Sequence, residues 1–168
     1  MARHHERREK TKLVKQEPTP CFGADAMLRH NCLEEHMPMS TFLNASPIFG
    51  PVRSRRLGLS LGVNMMPASG KICTFDCIYC ENGLNAERPC HEPYNTAAVV
   101  LEALEAKLRE MAAEGELPDV ITFAGNGEPT AAPEFPRAIA GAVALRDELA
   151  PNSKIAVLSN GTRADRPE

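Results

Sequence analysis

TAAVVLEALEAKLREMAAEGELPDVITFAGNGEPT (residues 96–130) sets two patterns side by side. In its first half Val100, Leu101, Leu104, Leu108 and Met111 recur at helical spacing, which makes one face of a helix apolar. Asn95 or Thr96 offers the N-cap of that helix, and Gly115 its C-terminal stop. DVITFAG (119–125) is a short β-branched and aromatic run and reads as a buried strand.

The same alternation extends outward. On the N-terminal side LGLSLGVNMM (57–66) is apolar and bounded by arginine-rich and Pro/Gly-rich turns, which predicts a first strand whose glycines mark close backbone approach. On the other side a second helix is expected from about Pro133 to Leu149, with Pro133 near its first turn and Pro151 beyond its end. KIAVLSN (154–160) predicts a third strand, followed by Gly161. Strand, helix, strand, helix, strand implies an α/β fold of about three parallel strands joined by crossover helices. In parallel sheets chemistry gathers at the carboxyl ends of the strands. The loop after the first strand, GNGEPT (125–130) and SNGT (159–162) are therefore expected on one rim.

The first of these loops contains CTFDCIYCENG (73–83), with Cys73, Cys77 and Cys80 in C-x3-C-x2-C spacing. Three thiols cannot all pair with one another. No later C-x-x-C or H-x3-H completes a tetrahedral zinc site, so a zinc reading needs Cys90 or His91 as fourth ligand. An iron–sulfur cluster normally takes four thiolates. Three would leave one iron of a [4Fe–4S] cube open, and a missing protein ligand is room for substrate.

Composition bounds these readings. A chain of 168 residues is about one domain, and 43% hydrophobic residues suffice for a core. The net charge of −3 argues against nucleic-acid binding driven by overall charge. No apolar run approaches the roughly 18–20 residues of a membrane span. MARHHERREKTK at the start lacks the apolar core of a secretory signal, and Glu6 and Glu9 fit a transit peptide poorly. The expectation is a soluble cytoplasmic protein without a membrane partner, in a compartment where clustered cysteines bind metal or react rather than cross-link. Residues 1–44 read as a disordered or mis-extended tail, with Met37 and Met39 as alternative starts and Cys21 and Cys32 without ligand-like spacing.

Cys73-Thr-Phe-Asp-Cys77-Ile-Tyr79-Cys80, with an aromatic just before the last cysteine, resembles the cluster loop of the radical S-adenosylmethionine (SAM) enzymes. The resemblance implies that Cys73, Cys77 and Cys80 hold a [4Fe–4S] cluster whose fourth iron is chelated by the amino and carboxylate groups of SAM. It implies reductive cleavage of SAM to methionine and a 5′-deoxyadenosyl radical, with the protein supplying orientation. An electron donor such as flavodoxin or ferredoxin is implied as partner. The hydrogen donor, whether small molecule, peptide or RNA, is not specified by these residues. Asn126-Gly127-Glu128-Pro129-Thr130 is similar to the family's glycine–glycine–glutamate motif, which contacts the SAM amino group, and departs from it by Asn126 at the first glycine. By the same resemblance Tyr79 would lie beside the adenine, and Ser159 and Asn160 would face the SAM site. FGPVRSRRLGLSLG (49–62) resembles the start of one branch of these proteins; Arg53, Arg55 and Arg56 read as solvated loop arginines, with an anionic substrate or partner as the alternative.

The family core is a six-stranded partial (β/α) barrel. The match covers about Phe49 to Thr162 and reaches only its third strand, so residues 45–168 are expected to be a truncated core, poorly soluble or cluster-labile on its own. The alternative function is a non-catalytic metal-binding module closed by Cys90 or His91.

Overall fold

A computed structural model describes residues 41–165 of the chain. Most of the segment expected as a tail, with Cys21, Cys32, Met37 and Met39, lies outside the described residues. Its last part does not: Phe42 and Asn44 donate backbone N–H bonds to the Glu81 carbonyl (2.9 Å) and to Asn126 Oδ1 (2.7 Å).

The helix of the opening stretch is α1, Ala97–Glu114. Thr96 is extended, and its side chain caps the Val99 N–H. Gly115 closes the other end in the left-handed conformation at φ 77°, its N–H on the Ala112 carbonyl while Glu116 bonds back to Met111. Ala97, Val100, Leu104, Leu108 and Met111 form the buried stripe. The second helix, α2, spans Phe135–Leu149, two residues short of the expected start. Pro136, not Pro133, occupies its first turn, where a missing N–H costs nothing. Glu134 just before it sends its carboxylate across to the Ala97 N–H at 2.9 Å, capping α1 from the start of α2.

The sheet has four strands in the order β1 (Ile48–Ser54), β2 (Gly58–Val63), β3 (Val120–Phe123), β4 (Lys154–Val157). The last three are parallel, as expected, and are joined through α1 and α2; the sheet is open, not closed into a barrel. β1 corrects the expected count of about three. It runs antiparallel to β2 along the other edge, with an irregularity between Phe49 and Val52. Pro51 sits at that irregularity on an edge strand, where a missing donor is tolerated, and it hides the strand pattern from a sequence reading.

The two sheet faces differ. Leu61, Ile121 and Ile155 lie in one register row, Val63, Phe123 and Val157 in another, and both rows pack with the helices into one core with Leu59, Met65, Met66, Ala138 and Ala142. Phe123 meets Phe135 of α2 edge-on at 5.5 Å. The alternate residues Ser60, Gly62, Thr122 and Ala156 are small or polar; Ser60 and Thr122 hydroxyls bond at 2.9 Å, and the Phe49 ring lies where a Gly62 side chain would be. An apolar, helix-covered face thus backs a face of small and polar residues, with the Phe49 ring over Gly62.

Candidate metal and cofactor site

The loops after β2, β3 and β4 meet at the carboxyl ends of these strands. Ile72 donates to the Asn126 carbonyl at 2.9 Å and accepts from the Glu128 N–H at 3.2 Å, a short parallel bridge that ties the cysteine loop to GNGEPT. Gly127, at φ 149°, stands at its centre, and a Cβ there would fall on the Ile72 carbonyl oxygen. The third loop joins through Asn160: its backbone N–H bonds Glu128 Oε2 at 2.7 Å and its amide donates to Thr74 Oγ1 at 3.0 Å. Thr74 and Thr162 hydroxyls close the contact at 2.7 Å.

Cys73, Cys77 and Cys80 are free thiols, each partly exposed. Two consecutive turns, Cys80 N–H to the Cys77 carbonyl and Gly83 N–H to the Cys80 carbonyl, both 3.0 Å, curl the chain around the last two. The Asn160 amide lies 3.7 Å from Cys73 Sγ, and Cys80 Sγ lies 4.0 Å from Asn82 Oδ1. Among the described residues no three His, Cys, Asp or Glu side chains converge on a single metal ion. Of the fourth ligands weighed for zinc, Cys90 Sγ is 3.4 Å from Ser69 Oγ, and His91 is exposed. Three soft thiol donors on one short loop, with amides beside two of the sulfurs, are a donor set that suits an iron–sulfur cluster.

Glu128 is buried, at 2% exposure. Its Oε1 accepts from the Thr130 N–H (3.1 Å) and hydroxyl (2.7 Å), and its Oε2 from Asn160. Burial is the largest single influence and pushes the carboxyl up, but bonds from Asn160, Thr130 and Ser159 together outweigh it and hold Glu128 below the ordinary carboxylate range. The carboxylate is thus largely engaged by the chain itself. Asn126, fully buried, explains the departure from the glycine motif: its side chain bonds the Asn44 backbone in both directions (2.7 and 3.0 Å) and the Pro67 carbonyl (3.0 Å). Asn64 Oδ1 in turn accepts from the Asn126 N–H at 3.2 Å. Tyr79 does not pack on the sheet; it is 79% exposed, and Cys77 beside it pushes its phenol up. Ser159 and Asn160 are exposed at the rim. Arg53 pairs with Glu116 at 2.6 Å in solvent, and Arg55 and Arg56 lie in the exposed β1–β2 turn, away from the rim loops.

An open pocket of about 310 Å3 lies between Asn44, Glu81, Asn82, Gly125, Gly127 and Leu158. Sequence reasoning missed Asn44, Asn64, Asn82 and Lys71. The partners of the three asparagines lie far along the chain, while Lys71 meets Asp76 and Gly83 only 5 and 12 residues on and is marked only by its enclosure in the fold.

The site is thus a three-cysteine loop on the carboxyl rim of a mostly parallel α/β sheet, and comparison with known proteins gives the class. The description of the Radical SAM superfamily matches residues 68–168, more than half of the chain. This chain belongs to the radical SAM superfamily. A UPF0026 protein of Helicobacter pylori is 34% identical over 128 residues, 74% of this chain and 38% of that protein. UPF0026 protein MJ1312 of Methanocaldococcus jannaschii is 36% identical over 83 residues, 49% of this chain and 25% of that protein. A protein of Brachyspira hyodysenteriae named GTPase Obg is 40% identical over 90 residues, 52% of this chain but 12% of that protein. The chain thus spans well under half the length of these relatives. No solved structure matches. No helix among the described residues is long and apolar enough to cross a membrane.

Proposed function

We propose that this chain is the SAM-cleaving part of a cytoplasmic radical SAM enzyme, with Cys73, Cys77 and Cys80 as the ligands of a [4Fe–4S] cluster. The observation that carries the reading is the backbone bridge between Ile72, one residue before the first cysteine, and Gly127 of GNGEPT. It anchors the start of the cysteine loop at the strand ends, where a small cofactor can be held. A cluster bound there would supply one electron to the sulfonium of SAM, giving methionine and a 5′-deoxyadenosyl radical.

The chain's own residues prepare the cofactor's place. Gly127 lines the open pocket and is the backbone position assigned to the SAM amino group; its missing side chain admits the Ile72 carbonyl that ties the two loops together. Glu128, ionised and buried, holds the loops after β3 and β4 together and lends negative potential toward that ammonium. Tyr79 offers an exposed aromatic face for adenine. Ser159 and Asn160 present a hydroxyl and an amide to the polar parts of the cofactor. Phe75, Ile78 and Tyr79 stand exposed around the cysteines and suit the approach of an electron donor such as flavodoxin or ferredoxin.

Anaerobic reconstitution with iron and sulfide tests this reading. The expected product carries a [4Fe–4S] spectrum that SAM perturbs, is lost on replacing Cys73, Cys77 or Cys80 by Ala, and survives Cys90→Ala. Bound zinc whose affinity falls with Cys90→Ala, or His91→Ala, would instead identify a non-catalytic metal module.

A further inference from the structure

Lys71 and Glu128 are the buried charged side chains among the described residues. Glu128 binds the rim together; Lys71 has no part in the function proposed above. The Lys71 side chain has no exposed surface. Its ammonium donates to the Gly83 carbonyl at 2.5 Å and to Asp76 Oδ1 at 3.3 Å. Asp76 lies between Cys73 and Cys77, and Gly83 lies three residues past Cys80, so one cation grips the cysteine loop in its middle and just beyond its end. Asp76 is itself fixed by the Asn85 N–H at 2.8 Å, and the Asn85 amide reaches back to the Cys73 carbonyl at 3.2 Å.

A buried ammonium is costly to desolvate, and here the Gly83 carbonyl and Asp76 offset that cost. Its single charged partner, Asp76, remains 45% exposed, so solvent screens that pairing more than it screens the lysine. A positive charge is thereby left to act on whatever negative charge the loop gathers. Net charge around an iron–sulfur cluster is one of the determinants of its potential.

We propose that Lys71 is a positioning residue that brackets the cysteine loop and raises the reduction potential of the cluster held there. This rests on the cluster reading given above. The experiment is a redox titration of the full chain, reconstituted anaerobically, with dithionite as reductant and the electron paramagnetic resonance signal of the reduced cluster as readout. Lys71→Met is expected to lower the reduced-to-oxidised ratio at a fixed potential about tenfold, a midpoint shift of about 59 mV for a one-electron couple. Asp76→Asn, isosteric and half exposed, leaves the lysine uncompensated and is expected to raise the ratio, about threefold. Opposite signs are the signature; a merely structural loosening would move both variants the same way. Equal-sign or absent shifts overturn the proposal while leaving the cluster intact. If Lys71→Met does not fold, Lys71→Gln, which removes the charge but keeps a donor, decides in its place: a fall in the ratio supports the proposal, and no change or a rise overturns it. A wild-type chain that takes up no cluster overturns the functional reading, and this inference with it.

Discussion

The two ends of this molecule's order are built from different materials. Behind the sheet, α1 and α2 cover β2 and β3 with Leu, Val, Met and Phe, and apolar burial holds them. At the carboxyl rim the loops are held by asparagines, the Glu128 and Asp76 carboxylates, the Lys71 ammonium and a glycine-permitted backbone bridge. Apolar contacts are non-directional and forgive small shifts; the rim's hydrogen bonds are directional, and each lost partner leaves a buried group unsatisfied. The back should therefore set whether the chain folds, and the rim whether it holds the cluster proposed above.

Four substitutions can break or sharpen that contrast. Gly127→Ala has the largest expected effect: its Cβ meets the Ile72 backbone at a φ that disfavours side chains, costing about 4 kcal/mol and abolishing iron uptake, as read by iron per protein after reconstitution. Leu104→Ala in the α1 stripe is expected to cost about 3 kcal/mol in thermal or urea unfolding, with iron per folded chain unchanged. Equal iron loss in both variants would dissolve the distinction between the two regions. Glu128→Gln comes next. Its folded-state pKa lies below the unfolded value, so its contribution is fully present above the ordinary carboxylate range and fades as pH falls through the lowered folded pKa. The wild type should lose stability on acidification over that window, and the variant should lose less; identical acid profiles would show that the carboxylate contributes nothing as an ion. Arg53→Ala, removing an ion pair in open solvent, is expected to change stability by less than about 0.5 kcal/mol and iron uptake not at all.

The same contrast separates what the sequence shows from what it hides. Thr96 and Gly115 bound α1 as read, because capping and helical periodicity are local. The strands at Val120–Phe123 and Lys154–Val157 follow from short apolar runs, and the cysteine loop falls on the rim as expected. β1 was illegible because Gly50 and Pro51 interrupt its alternation. The start of α2 moved because Pro133 and Pro136 are both plausible first-turn prolines and only packing chooses between them. The rim's internal bonds were the least legible. Asn126 finds Asn64 from 62 residues away and Asn44 from 82, and no window of sequence spans such a pairing. Lys71 reads as an ordinary solvated lysine until the fold encloses it.

The seat of Cys73 includes Asn160, which follows it by 87 residues. At a synthesis rate of about 5–20 residues per second, the cysteines leave the ribosome roughly 4–17 s before that seat can exist. During this interval Cys73 lacks its Asn160 contact. The cluster of the proposed function can take this seat only once Asn160 has been made.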